Sequence, residues 1–468
     1  MPELPEVETI KSLLKPIVVS HRITSIDVLR KTTILGDIDA FVNGLVGETF
    51  TDVTRIGKFL IFHLTNGKVF LSHLRMEGKY YEIDEKEKNT YFARVVFHLD
   101  NGKKLCYDDS RCFGIMKLTD ETNWKNEKEI AQLGPEPFNV KDVSYLIERT
   151  KRTSLAIKST LLDQTLMTGL GNIYVDEVLY ACNINPLTPA KLIKKEEWEN
   201  IVKESKRILN GAIKAGGSTI RSYHPGKDID GNFQTKLLAY GQKDNDCQKC
   251  HHPMRFIKVN GRGTTYCPIC QVKKGLPISV GIFGSIGSGK TEVLNLFNEA
   301  GYSTLSSDDI VAELYKKAEI VDSINKLFNL NFVSVVDKGI LREHLSIYPN
   351  DKKKLERYIH PLVKKEVASF IKLHPLSAIE VPLMFEAKME SMFDVLIAVD
   401  ANDQVRYERV KQRNATTGSF LTFLNQYNNR FPVNKRKADF VITNNASREE
   451  LKKMVNQIIS RLEDRQTQ

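Results

Sequence analysis

The chain has 468 residues, 41% of them hydrophobic and 27% charged, with a formal net charge of +10 and a pI near 9.0. That apolar content is enough to build cores, the length fits about three domains, and the basic balance suits a polyanionic partner such as nucleic acid. No apolar run reaches the roughly 20 residues of a membrane helix, and the acidic, proline-punctuated stretch Met1 to Glu6 is no signal peptide, so a soluble, cytoplasmic chain without a membrane partner is expected.

In chain order, a short helix is expected after Pro5, with Val7, Ile10, Leu13 and Leu14 at helical spacing. Alternating β-rich runs follow at Phe59 to Leu64, Val69 to Leu74, Tyr91 to Leu99 and Lys104 to Tyr107. Asn66-Gly67 and Asn101-Gly102 separate them as hairpin turns. This predicts a β-sandwich or barrel with a capping helix over residues 1–133. Leu133-Gly-Pro-Glu-Pro137 breaks the pattern, and residues 140–222 read as helices. A strand at Ile278 to Phe283, a glycine loop, a helix at Glu292 to Glu299 and buried strands at Ala378 to Pro382 and Val395 to Val399 predict an α/β domain with a parallel sheet. The boundaries follow as 1–133, 134–236, 237–272, a linker at 273–277, and 278–468.

Seven cysteines are present. Cys106, Cys112 and Cys182 are scattered, whereas Cys247-x2-Cys250 and Cys267-x2-Cys270 are close pairs. Two such pairs place four thiolates for one tetrahedral, structural Zn²⁺, which suits a reduced compartment better than a disulfide scaffold does. Asn260-Gly261 turns a hairpin between the pairs, with Arg262 at its tip.

Once Met1 is removed, Pro2 becomes a secondary amine able to attack a sugar C1′ and form a cationic iminium, with Glu3 beside it as acid and base. On these residues alone, a helix start with favourable acidic residues accounts for them as well. The wider pattern decides. Met1-Pro-Glu-Leu-Pro-Glu-Val-Glu-Thr9, Arg55-Ile-Gly-Lys58, His73-Leu-Arg-Met76, Asp109-Ser-Arg111-Cys-Phe113-Gly, Leu133-Gly-Pro-Glu-Pro137, Leu161-Leu-Asp-Gln164 and Gly169-Leu-Gly-Asn172-Ile-Tyr-Val-Asp-Glu177 resemble the formamidopyrimidine-DNA glycosylase family over about residues 1–272.

That resemblance implies a helix-two-turn-helix DNA-binding domain at 134–236 and a terminal zinc ribbon. It implies a catalytic set of Pro2, Glu3, Lys58 and Arg262, supported by Glu6. Met76, Arg111 and Phe113 would fill the gap left by an everted base, where apolar or planar groups lower the cost of unstacking. Read alone, Met76 and Phe113 also suit a core. Asn172, Arg262 and Lys158 would hold DNA phosphates, although Lys158 also reads as a solvated surface lysine. Gly216 to Gly226 resembles the loop over the everted base. Leu4 and the gap-filling trio favour oxidised purines over oxidised pyrimidines. Cys112 stands where the family is usually basic, so one backbone contact is expected to be weaker.

Gly284-Ser285-Ile286-Gly287-Ser288-Gly289-Lys290-Thr291 is a phosphate-binding loop between strand and helix. Backbone N–H groups cradle the phosphates, Lys290 reaches the β and γ phosphates, and Thr291 helps hold Mg²⁺. With Ser306-Ser-Asp308-Asp-Ile-Val-Ala-Glu-Leu314, His360-Pro-Leu-Val363, Glu380-Val-Pro-Leu-Met-Phe-Glu386, Arg409-x3-Arg413 and Ala438-Asp-Phe-Val-Ile-Thr-Asn444, the region resembles dephospho-coenzyme A kinase over about residues 278–455. The resemblance implies Mg-ATP as phosphoryl donor, Asp308 as general base towards the acceptor 3′-hydroxyl, Arg409 and Arg413 on the transferring charge, and a lid over 414–436. Ser306 replaces the family's usual first aspartate, and Asp308 also suits a helix cap.

The expectation is a bifunctional fusion. One half is a monomeric glycosylase and lyase that removes 8-oxoguanine and formamidopyrimidine from double-stranded DNA with β,δ-elimination. The other half phosphorylates dephospho-CoA with ATP. The alternatives are a repair glycosylase with an inactive or regulatory nucleotide-binding tail, or one with a different small-molecule kinase.

Overall fold

The computed structural model describes residues 2–218, 233–275, 278–413 and 434–467, with side chains to 412 in the third range and 463 in the last. The chain divides into two compact units: Met1–Lys243 with Lys258–Tyr266, and Asp244–Ile257 with Cys267–Gln468.

The first unit opens with helix α1 (Leu4–Val18). Glu3 and Glu6 form a reciprocal capping box at its start, and Val7, Ile10, Leu14 and Val18 fall on its buried side. Strands β1 (Ile23–Val28) and β2 (Ile34–Leu35), helix α2 (Ile38–Leu45), and strands β3 (Phe50–Ile56), β4 (Phe59–Leu64), β5 (Lys68–His73), β6 (Lys79–Asp84), β7 (Ala93–Leu99), β8 (Lys103–Asp108) and β9 (Ile115–Asp120) follow. They form two sheets, ordered β1-β7-β8-β6 and β2-β9-β5-β4-β3. Phe41, Phe50, Phe62, Phe70 and Phe97 fill the core of this lobe, and Phe62 stacks on Phe70 at 4.4 Å. The strand expected from Tyr91 begins at Ala93, because Tyr91 and Phe92 are exposed ahead of it.

Helix α3 (Lys128–Ala131) packs Ile130 on Phe59, Ile61, Val69 and Leu71 of the first lobe, and helices α4 (Ser144–Thr150), α5 (Ile157–Leu161), α6 (Asn172–Ala181) and α7 (Lys195–Lys214) make the second lobe of this unit. Its core gathers around Trp198, Tyr174 and Leu161, and it includes Leu4 from the start of α1. Arg55 ties the lobes together: its guanidinium donates to Glu8 at 2.7 Å and to Glu136 at 2.6 Å, and Glu136 also accepts the Gly57 N–H at 2.7 Å. Three sequence motifs thus meet in one nearly buried ion cluster.

Strands β10 (Arg255–Val259) and β11 (Arg262–Tyr266) form a two-stranded hairpin around Asn260-Gly261, both at positive φ, and the division between the units passes through it.

The second unit is built on strand β12 (Ile278–Gly284), helix α8 (Lys290–Glu299), strand β13 (Ser303–Ser306), helices α9 (Ser307–Leu314), α10 (Ala318–Phe328), α11 (Lys338–Ile347) and α12 (Pro349–Leu373), strands β14 (Leu376–Glu380) and β15 (Val395–Asp400), helix α13 (Asp403–Arg413), strand β16 (Phe440–Thr443) and helix α14 (Arg448–Thr467). The sheet is parallel, ordered β13-β14-β12-β15-β16. Its central strand is buried along most of its length, as a sheet covered on both faces requires. The strand expected at Ala378 to Pro382 is displaced to Leu376–Glu380, ahead of Pro382, which has no N–H to donate to a ladder. Among the described residues no helix is long and apolar enough to cross a membrane.

Candidate functional site

In the first unit, Pro2, Glu3, Glu6, Lys58, His73, Met76, Gln164, Gly171, Asn172, Ser218, Tyr240 and Arg262 line one cavity of about 340 Å³. Glu3 lies buried in its wall. Its carboxylate accepts the N–H groups of Gly171 at 2.6 Å and Ile173 at 2.8 Å, at the start of α6, where the helix dipole favours an anion. A Cβ on Gly171 would lie 2.3 Å from the Glu3 carboxyl carbon, so only glycine admits this approach. Burial pushes the Glu3 carboxyl up to about 7, against the pull of Lys58. Glu3 is therefore poised to hold or release a proton near neutrality.

Lys58 is also buried, and its ammonium donates to the Leu170 carbonyl at 2.7 Å. Burial lowers its pKa, while Glu3 and Glu6 oppose that shift. Glu6 accepts the Glu3 N–H at 2.9 Å and the Ser218 N–H at 2.8 Å, and the Tyr174 hydroxyl donates to it at 2.6 Å. Gln164 braces the turn before α6 by donating to the Leu162 and Leu170 carbonyls and accepting the Gly169 N–H.

Arg262 is exposed on the rim, at the first residue of β11. The next residue, Gly263, offers its carbonyl to Lys158 at 2.9 Å and to the Asn172 amide at 3.0 Å. Lys158 differs from both surface readings of its sequence. Its side chain is 0% exposed and donates to Asp176 at 2.6 Å. The ammonium is held inside by Asp176 and Gly263 and braces the strand that carries Arg262.

Arg111 and Phe113 lie apart from the cavity lining, on a turn held by Asp109, which accepts the N–H groups of Arg111 at 3.0 Å and Gly114 at 2.7 Å. The Arg111 guanidinium lies 5.0 Å above the Phe113 ring, and Phe113 is 52% exposed. Phe113 is thus no core residue. Met76 is half-buried on the cavity wall. Cys112 adopts positive φ between Arg111 and Phe113. The expected covering loop is described only as far as Ser218; residues 219–226, with Arg221, lie outside the described residues.

Tyr240 reaches the cavity without a sequence signal. Glu177, at the other face of α6, accepts the N–H groups of Leu238, Ala239 and Tyr240 at 2.8–2.9 Å and so fixes the turn that presents it. His73 is buried, and its Nδ1 accepts the Arg75 N–H at 3.0 Å. Burial holds its ring down to about 3, so it is neutral.

In the second unit, the four cysteine sulfurs lie within 4.8 Å of one another. Cys247 and Cys270 are 3.9 Å apart, and Cys250 and Cys267 are 3.5 Å apart. Zn–S bonds of about 2.3 Å imply tetrahedral edges of about 3.8 Å, so the four thiols fit zinc. The Lys249 and Cys270 N–H groups point at Cys247 and Cys267 sulfurs, as donors to thiolates should.

The loop from Gly284 to Thr291 joins β12 to α8. Arg406 donates to the Ile286 carbonyl at 2.9 Å, and the Asn444 amide donates to the Ser288 carbonyl at 2.8 Å. With its carbonyls turned outward to these partners, the loop is held as a cradle. Gly289 has φ of 96°, and a Cβ there would lie 2.2 Å from the Asn444 amide. Lys290 reaches 3.8 Å from Glu380, and the Thr291 hydroxyl donates to Glu380 at 3.1 Å. Ser285 Oγ and Ser288 Oγ are buried without a hydrogen-bond partner among the described residues. Orphan hydroxyls, a lysine and a hydroxyl–carboxylate pair fit a nucleotide phosphate with Mg²⁺.

Glu380 has no role of its own in the sequence reading, where it is only part of a motif. The parallel register Ile282 to Glu380 places it at the strand end beside the loop. Burial raises its pKa, Lys290 lowers it, and Asp308 and Asp309 raise it. Asp308 lines a second cavity of about 180 Å³ with Val311, Tyr315, His360 and Leu383. Ser306 caps α9 by accepting the Asp308 N–H at 3.3 Å, so the capping role falls to Ser306 and leaves the Asp308 carboxylate exposed. Arg409 Nη1 lies 3.5 Å from the Gly287 carbonyl and 3.4 Å from that of Ser288. The Arg413 side chain and residues 414–433, which take in most of the expected lid, lie outside the described residues.

Three family models match: the formamidopyrimidine-DNA glycosylase N-terminal domain at residues 1–116, the formamidopyrimidine-DNA glycosylase H2TH domain at 133–224, and dephospho-CoA kinase at 278–450. The formamidopyrimidine-DNA glycosylase of Exiguobacterium sp. is 42% identical over 274 residues, spanning 58% of this chain and 99% of the relative. That of Shouchella clausii is 45% identical over 277 residues, with the same coverage. Among solved structures, a Lactococcus lactis FPG mutant with Fapy-dG-containing DNA superposes with a TM-score of 0.56 at 35% identity, covering 58% of this chain and 100% of that one. The Lactococcus lactis Fpg with abasic-site DNA gives 0.56 at 34% identity and the same coverage.

Proposed function

The chain belongs to the formamidopyrimidine-DNA glycosylase family and also carries a dephospho-CoA kinase domain, and from that premise we propose the division of labour among its residues. The N-terminal half removes oxidised purines from duplex DNA as a monomer in the cytoplasm. The freed Pro2 amine attacks C1′ of the damaged nucleotide, the glycosidic bond breaks, and the base leaves with a proton. Glu3 then protonates O4′, the C1′–O4′ bond opens to an iminium, and this cation withdraws electrons while first the 3′ and then the 5′ phosphate leaves by β,δ-elimination. Glu3 shuttles protons, and Lys58, Asn172 and Arg262 hold phosphates. Met76, Arg111 and Phe113 occupy the space of the everted nucleotide.

The observation that carries this reading is Glu3, buried next to Pro2 with its carboxyl pushed up to about 7 and the Gly171 and Ile173 N–H groups on its oxygens. Such a pKa suits an acid in one step and a base in the next. Borohydride should trap the wild-type chain on an 8-oxoguanine duplex, and Pro2→Gly should trap far less. Undiminished trapping by the variant would remove Pro2 from the role.

The C-terminal half transfers the γ-phosphoryl group of ATP to the 3′-hydroxyl of dephospho-CoA. Asp308 takes the hydroxyl proton, and Lys290, Arg409 and Arg413 offset the charge of the transferring group. Thr291 and Glu380 would hold the Mg²⁺, which would supply charge neutralisation for the phosphates. The placement of Asp308 in a largely apolar cavity, with its charge felt at Glu380 beside the loop, carries this reading. The full chain should form ADP only when dephospho-CoA is supplied. A panel in which another nucleoside or small alcohol is the better acceptor would reassign the substrate.

A further inference from the structure

The base of the zinc ribbon packs in the same compact unit as the kinase sheet. Two aspartates of that sheet make the contact. Asp439, just before β16, accepts the Leu396 N–H at 2.6 Å and the Arg255 guanidinium at 2.5 Å on one oxygen. Its side chain is only 4% exposed, and that of Arg255 13%. Arg255 also donates to the Asp394 carbonyl at 3.3 Å. Asp394, just before β15, takes Lys273 at 2.9 Å on one oxygen and the Ser279 N–H of β12 at 3.0 Å on the other.

Each aspartate therefore does two things. It satisfies a backbone N–H of the parallel sheet, and it binds a cation from the ribbon or from the linker directly after it. The two cations flank the metal knuckles: Arg255 follows Cys250, and Lys273 follows Cys270. Metal at the four sulfurs would fix their spacing, because closing a structural zinc site supplies much of the folding energy of such a small element. Asp394 and Asp439 precede β15 and β16 and accept N–H groups near the starts of β12 and β15, at the strand ends away from the phosphate loop. One strand connects the two ends: β16 lies between Asp439 and Asn444, whose amide holds the Ser288 carbonyl of that loop.

We propose that the ribbon base is a structural part of the kinase unit, clamped by Arg255 and Lys273 on Asp439 and Asp394, so that metal at the four cysteines tightens β15 and β16. The proposal rests on the zinc reading of the cysteines and is independent of the kinase substrate.

The test is amide hydrogen exchange on the full, reduced chain, with bound zinc measured on the same sample before and after chelation. Stripping zinc should speed exchange at Leu396 and at residues 440–443 by about tenfold, the scale of one lost charge-assisted hydrogen bond. The double variant Arg255→Met with Lys273→Met should exchange at that faster rate with zinc still bound, and chelation should add little. Exchange at these amides that stays unchanged in wild type after proven zinc loss would overturn the proposal, with no variant needed. A purified chain that carries no zinc would overturn it at the start.

Discussion

Lys158 donates to Asp176 at 2.6 Å with neither side chain reaching solvent, and the same ammonium holds the carbonyl of Gly263, the neighbour of Arg262. Asp176 completes the brace by accepting the Thr265 N–H at 3.1 Å. Helices α5 and α6 thus fix strand β11 through one buried pair. Burial drives the Asp176 carboxyl up and the Lys158 ammonium down, with each partner opposing the other's shift.

Lys158→Met leaves Asp176 buried without its cation. Removing one partner of a buried pair costs about 3–5 kcal/mol, and replacing both by apolar groups costs much less. Urea unfolding of the first unit should show Lys158→Met well below wild type and Lys158→Met with Asp176→Leu above the single variant. A salt-dependence series on abasic-analogue duplex should lose about one phosphate contact in Lys158→Met, through misplacement of Arg262.

Glu3 carries a pH signature. Its pKa is raised from 4.5 in the unfolded reference to about 7. A carboxyl shifted upward contributes stability that is fully present below pH 4.5 and is lost as pH rises through 7. The difference in Tm between Glu3→Gln and wild type should therefore become more positive from pH 5 to pH 8.5. The shift corresponds to about 3 kcal/mol for this fully buried group. A difference that does not vary with pH would refute the raised pKa.

Phe113 lies outside every core cluster of the described residues and is half exposed. Phe113→Ala should leave thermal stability within about 0.5 kcal/mol of wild type. Affinity for lesion duplex should fall by about tenfold or more, since stacking against a base contributes about 1–3 kcal/mol. Fluorescence anisotropy on duplexes with and without the lesion checks both the loss and its selectivity.

Much of the fold is legible where periodicity is strong. Phe59 to Leu64 is apolar along almost its whole length and forms β4 with the expected ends. Strands β3 and β9 escape the sequence pattern, because Asp52, Arg55 and Lys117 break the apolar run, and pairing across the sheet decides their state. The site shows the same contrast. Pro2, Glu3, Lys58 and Arg262 line one cavity, as the local motifs imply. Lys158 looks like any surface lysine in the sequence, because its burial depends on a partner in α6 and a carbonyl in β11. Tyr240 enters through three backbone bonds to Glu177, a relation that no sequence spacing encodes. Glu380 becomes visible only when β14 is placed parallel to β12.

The phosphate loop gives a prediction that separates the halves. Glu380→Gln removes the carboxylate that accepts the Thr291 hydroxyl and faces Lys290. Phosphoryl transfer should fall by about a hundredfold or more, the scale of losing one preorganised electrostatic group. Borohydride trapping on lesion duplex should be unchanged. Equal loss of both activities would point to a folding defect, which a thermal melt would show directly.

The most direct measurement is ADP formation by the homogeneous full chain with Mg-ATP and dephospho-CoA, run for wild type, Pro2→Gly and Lys290→Met side by side. A bifunctional chain releases ADP in step with coenzyme A in wild type and in Pro2→Gly, and not in Lys290→Met. Absence of dephospho-CoA-dependent ADP in wild type, from a preparation that still traps lesion DNA, would contradict two working enzymes on one chain.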